Sequence, residues 1–139
     1  MTSWVVDTGP LVAFFDRSDR YHEWAKAQWA QAPVPMLSCE AVFAEASYLL
    51  HEHAGLDPAG VLALVERKLI SLPFSLEQNA GAVTRLLERY DDQEMQLADA
   101  CVVRMSELTR DCRVFTVDKR EFQIYRRFER QLIPLVAPE

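Results

Sequence analysis

Short β-branched and apolar runs alternate along the chain with stretches whose apolar positions recur at helical spacing. The opening run, Ser3 to Val6, contains Trp4, Val5 and Val6 and stops at Asp7. Thr8-Gly9-Pro10 then reads as a helix start, with Thr8 or Gly9 as the cap and Pro10 where a missing N–H is tolerated. Leu11 to Phe15 form its apolar turn. Trp24, Ala25, Gln28 and Trp29 predict a second helix from Tyr21 to Gln31, closed by Pro33 and Pro35. Met36-Leu37-Ser38 reads as a strand, with Ser38 also capping a helix from Glu40 to His53 that ends at Gly55. Asp57-Pro58 opens a helix from Ala59 to Lys68, and Leu69 to Leu72 is a strand ended by Pro73. Ser75 and Gln78 stand at capping-box spacing before a helix to Arg89, and Asp91 and Glu94 repeat that spacing before a helix to Thr109. Val114 to Val117 is a strand ending at Asp118, and a helix from Lys119 to about Phe128 precedes a last strand, Leu132 to Val136.

Strands separated by helices pair in parallel, with helices covering both faces. The expected fold is therefore a three-layer α/β/α sandwich around a central parallel five-stranded sheet. No repeat, linker or composition break divides it, so residues 1–139 are read as a single domain, a size suited to one core. Half of the chain is hydrophobic and 26% is charged, which argues against disorder. The longest charge-free stretch, Ala27 to Cys39, is 13 residues, well short of the roughly 20 needed to cross a bilayer. The N-terminus has no basic flank and Asp7 interrupts its apolar run, so no signal peptide is expected. Cys39, Cys101 and Cys112 form no C-x-x-C pair and read as core thiols of a reducing compartment, which points to the cytoplasm.

Charge changes this picture through its distribution. The chain carries a net charge of −6, yet residues 101–139 hold 8 basic and 6 acidic side chains against 7 and 15 in residues 1–100. Lys119, Arg120, Arg126, Arg127 and Arg130 carry most of that positive tail. They read either as a solvated helical face or as a phosphate-contacting rim, and charge alone does not choose between the two.

Four acids stand in apolar company. Asp7 is the only charged residue among the first 15, Glu45 the only one from Ala41 to Leu50, and Asp99 the only one from Met95 to Val103. Asp118 closes the strand Val114-Phe115-Thr116-Val117. An unpaired buried carboxylate is costly and usually neutralises or finds a cation. Taken singly, each acid has an ordinary explanation: a helix cap for Asp7 or Asp118, a bond from Arg104 for Asp99, a distant arginine for Glu45. A parallel sheet gathers functional groups at the carboxyl ends of its strands, where Asp7 and Asp118 would lie and where the helices carrying Glu45 and Asp99 begin. Four carboxylates meeting there call for a counter-ion, and a hard divalent cation, Mg²⁺ or Mn²⁺, suits oxygen ligands best. The histidines His22, His51 and His53 share no ligand spacing, and the aromatic set Phe14, Phe15, Trp24 and Trp29 reads as core or dimer interface.

The segments Val5-Val6-Asp7-Thr8-Gly9-Pro10-Leu11-Val12-Ala13, Glu45 in its apolar helix, Leu97-Ala98-Asp99-Ala100 and Val114-Phe115-Thr116-Val117-Asp118-Lys119-Arg120-Glu121-Phe122, with Tyr125-Arg126 just after, resemble the PIN domain family, and within it the VapC toxins of toxin–antitoxin pairs. The resemblance covers essentially the whole chain. It implies a metal-dependent ribonuclease whose acidic residues are Asp7, Glu45, Asp99 and Asp118, with Thr116 as the accompanying hydroxyl. It also implies a homodimer and a small cognate antitoxin that covers the acidic groove. On this reading Asp7, Asp99 and Asp118 hold the metal, and Glu45 orients or deprotonates the attacking water or completes the ion's shell. Lys119, Arg120 and Arg126 hold the RNA backbone. Four rivals compare less well or stay open. A haloacid dehalogenase-type phosphatase needs a second Asp where Gly9 stands, and a phosphoacceptor receiver domain needs an acidic pair near its start. An RNA-processing nuclease without an antitoxin, or a PIN-like module that binds without cutting, remains an alternative.

Overall fold

The computed structural model describes residues 1–139. Strand β1 (Ser3–Val6) leads into helix α1 (Thr8–Phe15), and helix α2 (His22–Gln31) follows. Strand β2 (Met36–Leu37) precedes the long helix α3 (Glu40–Ala54), which ends at Gly55 in the left-handed region, φ 64°. That conformation costs glycine nothing and lets the chain turn sharply out of the helix. A 3-10 turn (Pro58–Val61) and short helix α4 (Leu62–Glu66) lead to strand β3 (Ile70–Ser71) and helix α5 (Leu76–Arg89). Helix α6 (Leu97–Leu108), strand β4 (Cys112–Phe115) and helix α7 (Lys119–Ile124) come next. Strands β5 (Arg126–Arg127) and β6 (Gln131–Leu132) form a small antiparallel hairpin, and β7 (Leu135–Val136) completes the main sheet.

The main sheet has five strands in the order β3-β2-β1-β4-β7, every pair parallel, as the alternation of strands and helices predicts. β1 is central because Val5 and Val6 are buried completely, and its Val6 is in register with Phe115 of β4. Phe115 is ringed by Trp4, Trp24 and Trp29, with centroids 5.3–6.1 Å away, so the tryptophans of α2 seal the core. α6 packs against β1 and β4, and 31 buried residues form a continuous hydrophobic cluster. No helix is long and apolar enough to cross a membrane.

Several local expectations are corrected. Ser38 does not cap α3. Its buried Oγ donates to the carbonyl of Val6 at 2.9 Å, tying β2 to the end of β1, and Cys39 takes the cap position. The single helix expected from Ala59 to Lys68 is divided, because Asp57 accepts from Ala59 and starts a tight 3-10 turn instead. Asp91 and Glu94 bracket a 3-10 turn, and α6 begins only after Gln96, whose backbone N–H donates to the Asp99 carboxylate at 3.3 Å. α7 stops at Ile124, four residues early, and Leu132 belongs to the hairpin, which leaves a last sheet strand of two residues.

Candidate functional site

The sequence turns from β2 and β3 on one side of β1 to β4 and β7 on the other. Between β1 and β4 lies the point where successive connections leave in opposite directions, the usual place for a ligand cleft in an open parallel sheet. Asp7 leaves β1 there and its backbone N–H donates to Phe115 at 2.9 Å, continuing the strand ladder by one bond. Opposite it, the fully buried Thr116 donates its hydroxyl to Asp7 Oδ2 at 2.8 Å and accepts from the Asp118 backbone N–H at 2.9 Å. One hydroxyl thus fixes both carboxylate-bearing strand ends.

Asp7, Glu45, Asp99 and Asp118 all line one cavity of about 320 Å³. Asp7 is buried, while the other three are half-buried along its walls. None of the four pairs with an arginine or lysine. Arg104, the arginine closest to Asp99 in sequence, is bound to Asn79 and Glu107 instead. Burial, reinforced by the charge of Asp99, pushes the Asp7 carboxyl up to about 7 against the pull of its Thr116 bond. Burial raises Asp99 too, with the charges of Glu45 and Asp118 adding to it.

Asp19 and Glu121 also line the cavity, though sequence reasoning did not single them out. Glu121 stands one helical turn after Asp118, a spacing that could have flagged it. Burial, a hydrogen bond shared with Asp118 and the nearby charges of Asp118 and Asp99 raise its carboxyl. Asp19 accepts from the Tyr21 backbone N–H at 2.8 Å, so turn formation occupies one of its oxygens. Tyr125, buried beneath the site, donates its hydroxyl to Asp99 at 3.4 Å.

The donor set is all oxygen and carries no protein cation, which matches the chemistry of a hard divalent ion. The acids do not close into a cage: no three acidic, histidine or cysteine side chains are gathered tightly enough to hold one ion directly. Mg²⁺ retains much of its water shell and is often held by only one or two carboxylates, which such an open arrangement suits.

The basic residues are less concentrated than the sequence suggests. Lys119 and Arg120 are exposed at the start of α7, and Arg120 lines an adjoining cavity with Asp118 and Glu121. Arg126 donates to the carbonyl of Gln123 at 2.8 Å and lines neither cavity. Arg127 does not belong to any solvated face or phosphate rim: it is 5% exposed and donates to the carbonyls of Ser106, Thr109 and Arg110, closing the C-terminal end of α6. His22 packs inward with Nδ1 2.7 Å from the carbonyl of Ala13, whereas His51 and His53 are exposed.

A five-stranded parallel α/β/α sandwich with carboxylates ringing its strand-order reversal defines the class of protein. The chain belongs to the PIN domain family, whose profile matches residues 4–127. Among curated proteins it is similar to Ribonuclease VapC26 of Mycobacterium tuberculosis, 28% identical over 127 residues that cover 88% of this chain and 91% of the relative. Two solved structures share the fold. The crystal structure of Mycobacterium tuberculosis VapC20, a sarcin-ricin loop cleaving toxin, superposes with a TM-score of 0.72 at 22% identity over 81% of this chain and 87% of that one. The DNA-bound VapBC complex of Salmonella typhimurium superposes with a TM-score of 0.55 at 18% identity over 99% and 98%.

Proposed function

We propose that this protein is a divalent-metal-dependent endoribonuclease that hydrolyses RNA phosphodiester bonds, and that it is the toxin of a toxin–antitoxin pair. The observation that carries the reading is Asp7: a buried carboxylate without a cationic partner, facing a cavity ringed by further acids at the end of the central strand. The similarity to Ribonuclease VapC26 along nearly the whole chain supports the same activity here.

Asp7 and Asp99, with Asp118 helping, are the residues that would hold the ion, directly or through its water shell. When bound, Mg²⁺ or Mn²⁺ supplies screening of the scissile phosphate and acidifies water in its shell. The chain's own groups do the rest. Thr116 fixes Asp7 and the start of α7 in one orientation through its two hydrogen bonds. Tyr125 steadies Asp99 from below. Glu45, half-buried on the cavity wall, would orient or deprotonate the attacking water or complete the ion's shell. Lys119, Arg120 and Arg126 hold the RNA backbone on either side of the cut. Attack by water, rather than by the ribose 2′-hydroxyl, leaves 5′-phosphate and 3′-hydroxyl ends.

The partner expected with this activity is a small antitoxin that covers the acidic cavity, and the likeness in fold to a VapBC complex supports that pairing. A homodimer acting in the cytoplasm completes the proposal. A short reading frame beside the gene, encoding a DNA-binding start and a charged tail, would distinguish the toxin from an RNA-processing nuclease.

The test is RNA cleavage by purified wild type, Asp7→Asn and Asp99→Asn with Mg²⁺ or Mn²⁺ supplied, together with growth arrest on expression. Both variants are expected to lose cleavage by about a hundredfold or more. Full activity in both variants overturns the site. A wild-type protein that binds RNA and never cuts it makes the chain a binding module instead.

A further inference from the structure

A second cavity, of about 370 Å³, opens beside the acidic one and is lined by Gln93, Asp118, Arg120, Glu121, Ile124 and Tyr125. Asp118 and Glu121 border both spaces, so the two cavities share a wall. The second is built differently from the first. It adds a guanidinium in no ion pair (Arg120), a side-chain amide with no hydrogen bond within the protein (Gln93) and an apolar side chain 41% exposed (Ile124). The largest cavity, about 710 Å³ between α5, α6 and the β5–β6 hairpin, stands apart from the acidic one: the two share no lining residue, and its Arg89 and Arg104 are held by Glu129 and Glu107.

We propose that the second cavity is a subsite for one unpaired nucleotide of the RNA, next to the bond cut in the acidic cavity. The inference rests on the ribonuclease reading. A volume of this size lies within the range of about 300–1,000 Å³ that holds small ligands. Sequence-selective recognition of RNA works on splayed, unpaired bases through side-chain contacts to their faces and edges. Each requirement has a residue. Arg120 takes the phosphate, which the carboxylates of the shared wall repel toward it. Ile124 gives the base an apolar surface, and Gln93, able both to donate and to accept, reads a base edge. Because Asp118 and Glu121 separate this pocket from the cleavage cavity, a base seated here is adjacent to the reacting phosphate rather than several nucleotides away. The pocket therefore sets which nucleotide stands beside the cut.

The experiment uses the full chain and single-stranded RNA oligonucleotides randomised around the cleavage position, with product ends mapped by sequencing. Wild type is expected to prefer some bases at one position adjoining the cut. Gln93→Ala and Ile124→Ala are expected to flatten that preference, and Arg120→Ala to raise KM, each by about two- to tenfold. A readout independent of cleavage is fluorescence anisotropy of a labelled single-stranded RNA with the Asp7→Asn chain and no added metal. There the second substitution Ile124→Ala raises Kd by about the same factor, while Leu132→Ala, an exposed apolar residue of the hairpin, leaves it unchanged. All four positions except Arg120 and Gln93 are apolar, and melting curves check that every variant is folded. If wild type cuts RNA but shows no base preference there, or if preference and Kd are unaltered in the variants, the subsite is overturned and the ribonuclease reading stands. If wild type neither cuts nor binds RNA, the ribonuclease reading itself has failed.

Discussion

Asp7 is where burial, charge and chemistry meet, and its carboxyl makes the clearest residue-scale prediction. It sits at about 7 in the folded chain against 3.8 for an ordinary aspartate. The folded state keeps this proton over a pH range in which the unfolded chain has released it. The resulting stabilisation is complete below about pH 4 and is lost as pH rises through 7. Metal-free Asp7→Asn should therefore be more stable than wild type at pH 8, by about 1–3 kcal/mol in urea unfolding, with the gap closing toward pH 4. A less stable variant at pH 8 would contradict the account. Thr116→Val tests the neighbouring bonds: it strands the Asp118 N–H and frees Asp7 to rotate. Cleavage should fall about 10- to 100-fold in a single-turnover assay while the fold survives. At this scale Asp7, Glu45 and Asp99 were legible because each is a lone charge in an apolar run, and Asp118 because it closes an apolar strand. Glu121 and Asp19 stood out less, because both lie in polar stretches. Glu121 was signalled only by its spacing one helical turn after Asp118, and Asp19 is seen to face the same cavity only once the chain is folded.

At the scale of elements, α6 is held at both ends. Asp99 sits in its first turn, accepting from Gln96 and from Tyr125, and Arg127 closes its last turn. Arg127→Ala leaves those buried carbonyls short of donors and opens a cavity. It should destabilise the protein by about 2–4 kcal/mol in denaturant titration, without changing cleavage per folded molecule in native conditions. Gly9 shows the opposite constraint, since a Cβ there would overlap the Val117 side chain just before Asp118. Gly9→Ala is expected to cost about 1–3 kcal/mol and to reduce cleavage, and adding Val117→Ala should restore most of both. The parallel sheet and most helices followed from periodicity and capping residues, but the strand order and the end of α7 did not. The β5–β6 hairpin that follows it turns at Phe128 and Glu129, at φ 52° and 68°, a conformation normally announced by Gly or Asn. Tertiary bonds hold that turn instead: the Tyr90 hydroxyl accepts from the Arg126 N–H, the Arg127 guanidinium grips α6, and the Phe128 N–H donates to Glu107. No local reading could have supplied those partners. The same reasoning explains Ser38, whose hydroxyl was diverted from capping by the open carbonyl of a neighbouring strand.

At the scale of the whole molecule, the packing that buries β1 also fixes the strand ends on which the acids stand, so the proposed function links stability to ion affinity. Added Mg²⁺ should raise the melting temperature more at pH 8 than at pH 5, because below about 7 the Asp7 proton competes with the ion. Equal shifts at both pH values would count against carboxylate binding. The wall of six carboxylates has one further outcome. Most nucleases that meet a polyanion with a basic surface bind more weakly as potassium chloride is added, because fewer displaced counter-ions are set free. Here the net charge is −6 and the entrance is lined by acids, so the incoming strand meets repulsion before it meets Arg120. Moderate salt at fixed Mg²⁺ relieves that repulsion, and KM for RNA should hold steady or fall across the range where a basic nuclease would already be losing its substrate.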